Sequence, residues 1–249
     1  MSGEAPERPQ MTRAGIVSVV LMLAVVAVGL AVALGAFNGG SDVSETEDGV
    51  RGVTESAEIL QDVPQEGLRL GREDAPVTIV TFADLKCPHC KSHFADIHPK
   101  LVERLVRTGK ASLELRLMAL KAFRPDNEIG RVAAHRLASE NTMWDFVQLL
   151  YYNQGNPGDQ WIQPQLMQQL HSRIPGRDGR AFDLGPDEAS RRLDAEADAL
   201  ADRLDVSGTP AVYLRKRGSD EYRKVDVGGL FKDGEDQIAD EVEKLTGGG

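Results

Sequence analysis

The sequence predicts an α/β domain with a helical insertion, preceded by one N-terminal transmembrane helix and an acidic linker. Three observations predict it. An uncharged apolar run lies near the N-terminus; a β-branched segment leads directly into Cys87-Pro88-His89-Cys90 and an amphipathic stretch; and a long helical block is closed by a strand, a hairpin and a last helix. With 249 residues, 41% of them hydrophobic and 27% charged, the chain can bury a core, which excludes collagen-like and wholly disordered architectures.

No charge interrupts the chain between Arg13 and Asp42, and residues 16–36 are almost entirely Val, Leu, Ala, Ile and Met. At about 1.5 Å per residue this run reaches roughly 32 Å, matching a hydrocarbon core of about 30 Å. It is read as a transmembrane anchor over 15–37. Arg8 and Arg13 precede it and the first basic residue beyond it is Arg51, so the positive-inside bias places residues 1–14 in the cytoplasm and the rest of the chain outside. The alternative is a cleaved secretory signal ending near Ala31-Val32-Ala33, although signals carry apolar regions of only about 7–15 residues. Both readings deliver the domain to a compartment where disulfides persist.

Residues 38–66 hold eight acids (Asp42, Glu45, Glu47, Asp48, Glu55, Glu58, Asp62, Glu66) against Arg51, so −7 of the chain's net −10 lies there. Rich in Gly, Ser and acids, this stretch reads as a flexible, extended linker. Residues 67–249 form the folded domain. They contain no Lys/Arg-rich tract, which excludes the electrostatic footprint of a nucleic-acid binder.

Within the domain, residues 77–82 (VTIVTF) form a β-branched strand after the turn-like Glu73-Asp74-Ala75-Pro76. Phe94, Ile97, Leu101 and Leu105 then recur at helical spacing, with Pro99 expected to kink the helix and Gly109 to stop it. Residues 111–117 alternate, Leu113, Leu115 and Leu117 on one face and Glu114 and Arg116 on the other, as a second strand does. A helical insertion follows over about 125–206. It includes 131–152, where Thr142-Met143-Trp144-Asp145 fits a capping box, a loop at 154–164 bearing Trp161, and an amphipathic helix at 186–205. A strand at 211–214, a hairpin partner at 222–227, a break at Gly228-Gly229 and a helix at 238–245 complete the chain.

The chemistry is carried by Cys87 and Cys90, the chain's two cysteines. A bridge closing so small a loop stabilises little, so the pair is read as reactive. At the start of a helix, Cys87 faces unpaired backbone N–H groups and the positive end of the helix dipole, which favour its thiolate; Cys90, one turn on, can attack or resolve a mixed disulfide. Pro88 suits the first helical turn, and Lys86, His89 and Lys91 add positive or protonatable groups expected to lower the Cys87 pKa further. The competing reading is zinc bound by Cys87, Cys90, His93 and His98. It is awkward, because structural zinc sites draw their ligand pairs from separate elements and these four lie within twelve residues. No metal is expected.

The segment Phe82-Ala83-Asp84-Leu85-Lys86-Cys87-Pro88-His89-Cys90, the central helical block and Gly208-Thr209-Pro210 together resemble the DsbA-type thiol-disulfide oxidoreductases of the thioredoxin superfamily, especially membrane-anchored forms from Gram-positive bacteria. The resemblance spans roughly residues 67–249 and implies a thioredoxin-like fold. Pro-His between the cysteines implies an oxidase that donates disulfides to unfolded exported proteins. It also implies a cis Thr209–Pro210 peptide, with Thr209 and Pro210 contacting substrate, and a membrane quinone-linked partner that re-oxidises the pair. No bound cofactor is implied, since the sulfur pair is itself the redox centre. A reductase or isomerase on the same fold, and a membrane-tethered binding or chaperone module, are the alternatives. One departure stands out: many relatives carry a buried carboxylate six residues before the nucleophile, where this chain has Thr81. Asp84 is the nearest acid, and the proton route to Cys90 is left unassigned.

Overall fold

The β-branched run at 77–83 becomes the central strand of a sheet, and everything else is arranged around it. The computed structural model describes residues 43–226 and 234–247. The expected cytoplasmic segment 1–14, the anchor 15–37 and the Gly228-Gly229 break lie outside the described residues. Among the described residues no helix is long and apolar enough to cross a membrane.

The chain enters through helix α1 (Val53–Leu60) and a short hairpin, β1 (Gln65–Glu66) and β2 (Arg69–Leu70). The central strand β3 (Val77–Ala83) runs into a long helix, α2 (88–106), which returns the chain to β4 (Ala111–Leu117). The insertion supplies α3 (Asp126–Ala138), α4 (Met143–Tyr152), α5 (Pro164–Ser172) and α6 (Glu188–Arg203). The hairpin β5 (Ala211–Lys216) and β6 (Tyr222–Val225) and the helix α7 (Gly234–Thr246) follow.

The sheet order is β1-β2-β4-β3-β5-β6, with β1 and β6 at the edges. β3 pairs with β4 in parallel, Thr81 opposite Leu115, and with β5 antiparallel, Thr81 opposite Val212. A parallel pair needs a crossover connection, which α2 provides. Because β3 is covered on both faces, it reads as a continuous apolar run rather than an alternating one. Val77, Ile79 and Ala83 face the larger core, made with α2 and the insertion. Val80 and Phe82 face a smaller one closed by Leu200 and Ala201 of α6, where Phe82 meets Tyr213 edge to face at 5.7 Å.

Four expectations are corrected. The flexible linker assigned to 38–66 does not hold over its described part. Val50, Leu60 and Val63 are buried, α1 forms, and β1 and β2 extend the sheet beside β4. Gly52, at φ 77°, starts α1 so close to α4 that a Cβ there would lie 2.3 Å from the Tyr152 ring. Charge density had masked a sparse apolar pattern whose partners are remote. Second, the helix continues past Pro99 as expected but not with regular turns: it contains wider turns at 93–97 and 102–106, and in the first of these the His98 N–H reaches back five residues to the His93 carbonyl. Third, the Thr142 capping box does not form. Thr142 makes no side-chain cap, and Asp145 instead accepts from Gln65 of β1 at 2.6 Å, whereas a true box forms at Asp187 and Ser190 of α6. Fourth, α7 begins at Gly234, a turn earlier than its apolar spacing indicates.

Candidate active site

The loop between β3 and α2 carries the site. Cys87 is the N-cap of α2, with extended backbone (φ −69°, ψ 121°), and Pro88 occupies the first helical turn, where its absent N–H costs nothing. Cys87 is 4% exposed and Cys90 0%, both as free thiols. The Cys87 thiol donates to the Thr209 carbonyl at 3.3 Å, and the Thr209–Pro210 peptide is cis, as the resemblance implied; Arg124–Pro125 is also cis.

Burial pushes thiol pKa values up, yet the Cys87 pKa is pulled down to about 6. The Cys90 thiol, hydrogen-bonded to its sulfur, is the largest cause, with Thr209 and the backbone amides of Cys90 and His89 adding to it. The Thr209 hydroxyl has no other partner and is free to donate once the Cys87 proton leaves. Cys90 shows the reverse: burial first, then the adjacent Cys87, raise its pKa well above the ordinary range. One sulfur is held as an anion and the other keeps its proton.

Lys86 does not play the tuning role expected of it. Its ammonium bonds the Asp126 carboxylate at 2.6 Å, both side chains 2% exposed, so its charge is spent in a buried pair beneath the loop. Asp126 also accepts from the Ile162 amide at 3.0 Å. Lys91 is likewise turned away, donating to the Gln154 carbonyl at 3.4 Å. His89 is exposed at the helix start and acts on Cys87 through its backbone amide.

Asp84 is fully buried rather than a simple turn residue. Its carboxylate accepts from the amides of Lys86 (2.8 Å) and Leu120 (2.7 Å) and from Asn127 Nδ2 (2.8 Å), while burial pushes its pKa up. Thr81, at the position where the resemblance implied an acid, is buried on β3. Sequence reasoning missed four further residues: Asp126, Asn127, Tyr151 and Gln154. Tyr151 donates to the Asp84 carbonyl at 3.1 Å, and Gln154 Nε2 donates to the carbonyls of Leu85 (2.9 Å) and Cys87 (3.2 Å). All lie in the insertion, at the start of α3 and around the end of α4, where no local pattern ties them to the cysteine loop.

The zinc arrangement is not what these side chains form. His93 and His98 are buried on the core side of α2, with His98 stacked on Phe94 at 5.1 Å and on Trp144 at 5.2 Å. Among the described residues no three His, Cys, Asp or Glu side chains converge on a point that could hold a metal.

A family model described as Thioredoxin matches residues 64–226, which spans β1 to β6. Among curated proteins, the chain is 29% identical over 150 residues to the probable disulfide bond formation protein D of Bacillus cereus, covering 58% of this chain and 68% of that one. It is 26% identical over 151 residues to disulfide bond formation protein D of Bacillus subtilis, covering 59% and 67%. Among solved structures, oxidised BdbD of Bacillus subtilis aligns with a TM-score of 0.56 at 22% identity, covering 76% of this chain and 100% of that one. Alpha-DsbA1 of Wolbachia pipientis aligns with a TM-score of 0.58 at 18% identity, covering 77% and 96%. At these identities the structural likeness speaks to the fold.

Proposed function

This chain belongs to the thioredoxin family and is a DsbA-type disulfide oxidoreductase, and from that premise we propose that it donates disulfides to exported proteins through Cys87 and Cys90. The observation that carries the reading is the opposite treatment of the two thiols. A Cys87 pKa near 6 stabilises the reduced enzyme and therefore makes its disulfide easier to give away. A client thiolate attacks Cys87, the Cys87–Cys90 bond breaks and Cys90 leaves as a thiolate that takes up a proton. A second client thiolate then attacks the client sulfur bonded to Cys87, displacing Cys87 as a thiolate. The client gains a disulfide and the enzyme holds two thiols, so two electrons have moved to the pair.

The Thr209 carbonyl meets the Cys87 thiol at the cis Thr209–Pro210 peptide, and on this reading Thr209 and Pro210 contact the client, an extended segment pairing with the Thr209 backbone. The pair is its own redox centre and needs no bound cofactor. Re-oxidation falls to a separate quinone-linked membrane protein, and the uncharged run at 15–37 holds the enzyme at the outer face of that membrane, N-terminus inside.

The test is to refold a reduced, cysteine-containing exported protein with stoichiometric oxidised enzyme and follow client disulfides. Stoichiometric gain supports the oxidase. A reduction potential near thioredoxin's, about −270 mV, with no net gain would overturn it in favour of a reductase.

A further inference from the structure

We propose that Tyr151 is a third catalytic group, whose hydroxyl turns from the Asp84 carbonyl to the Cys90 sulfur when that sulfur becomes the attacking thiolate. The proposal rests on the redox role of Cys87 and Cys90 given above.

Tyr151 is fully enclosed at the end of α4, and its ring stacks on Phe94 of α2 at 4.4 Å, so the hydroxyl has a fixed address. That address is shared. The hydroxyl donates to the Asp84 carbonyl at 3.1 Å and faces the Cys90 thiol, while the Asp84 backbone N–H faces the Cys90 sulfur. Carbonyl and sulfur compete for the phenol, which has one hydrogen to give. Burial pushes its pKa well up, so at neutral pH it acts as a donor and not as an acid.

In the dithiol enzyme the Cys90 proton points to the Cys87 thiolate and Tyr151 serves the carbonyl. In a mixed disulfide Cys87 is capped and uncharged, and the Cys90 proton must leave for solvent base. The bare Cys90 sulfur is then out of contact with water. The titratable groups facing it and Tyr151 are Cys87 and Asp84, with Lys86 behind Asp84 and already bound to Asp126. None of these brings a free positive charge. The Thr209 hydroxyl and the Asp84 amide already face the sulfur, Tyr151 is the further donor in reach, and a buried anion short of donors is strongly disfavoured. The step balances: the Cys90 electron pair forms the bond to Cys87, the bond from Cys87 to the outside sulfur breaks, and that sulfur leaves as a thiolate which takes a proton from solvent.

The experiment is quenched-flow reaction of the reduced full-length chain in detergent with oxidised glutathione, with acid-trapped species counted by mass. The first step caps Cys87 with glutathione; the second, attack by Cys90, releases it. Tyr151→Phe is expected to slow the second step about tenfold at neutral pH and move its pH profile upward by about one unit, with the first step and the Cys87 absorbance titration unmoved. Gln154→Ala, which loosens the same loop but keeps the hydroxyl, is expected to leave the second-step profile in place. An unchanged second step in Tyr151→Phe overturns the proposal, as does the same profile shift in Gln154→Ala. If the wild-type chain never forms the glutathione adduct on Cys87, it is the redox reading itself that fails.

Discussion

The first turn of α2 and its middle treat ionisable groups in opposite ways, although both are buried. At the start, Cys87 loses water yet its anion is favoured, because Cys90, Thr209 and two backbone amides supply donors in place of water. Six to eleven residues beyond Cys87, the amides are already committed to the helix. Burial alone drives the His93 pKa to about 4, and burial, with the nearby His93, takes that of His98 to about 3 against a hydrogen bond from Gln148. Burial therefore does not decide a group's charge; the supply of uncommitted donors does, and a helix has them at its first turn.

The largest effect that sharpens this contrast is on turnover. Cys87→Ser is expected to lower client oxidation by roughly a thousandfold or more, since a hydroxyl cannot carry the exchange. Disulfide gain in the refolding client measures it.

Next in size is the support under the loop. Lys86→Met leaves Asp126 buried and unpaired and is expected to cost about 3–5 kcal/mol in urea unfolding. The same variant should move the Cys87 titration by less than about half a unit, separating support from tuning.

The middle of α2 predicts acid sensitivity. A histidine whose folded pKa lies below its unfolded value near 6.5 gives stability that is complete above that value and fades as pH falls towards the folded pKa, because the unfolded chain binds the extra proton. For His98, with its folded pKa at about 3, the loss between pH 8 and pH 5 is about 2 kcal/mol. His98→Phe, whose ring fits between Phe94 and Trp144, should remove that share of the loss; equal pH dependence in variant and wild type would contradict it.

The smallest effect concerns the first turn alone. Cys90→Ala deletes the chief donor to Cys87 and should raise the Cys87 pKa from about 6 by about one unit, read at 240 nm in the reduced enzyme. No shift would mean that the backbone amides suffice.

What the sequence disclosed follows the range of the interactions involved. β3, the cysteine pair at the start of α2, and β4 were legible, since β-branched runs, helical spacing and alternation are local patterns. Segment 43–66 was misread because α1 and the first hairpin gain stability only from α4 and β4, and its seven acids hid three core positions, Val50, Leu60 and Val63. Lys86 was misassigned for a related reason: adjacency to Cys87 in sequence placed it near the sulfur, while Asp126, forty residues away, holds it. Tyr151 and Gln154 lie more than sixty residues from the loop whose carbonyls they bond, and no local pattern relates them to it.

The sheet ends in ways that suit an enzyme visited by unfolded chains. An open strand edge is a template on which any extended polypeptide can stack, the first step of aggregation. Here one margin is the two-residue β1, too short to nucleate a ladder, and the other is β6, whose Arg223 and Lys224 are exposed. Arg223 is further tied to Glu241 of α7 at 2.7 Å. On the proposed function, a client would be left with main-chain pairing at Thr209, beside the reactive sulfur, and with little to hold it at either edge.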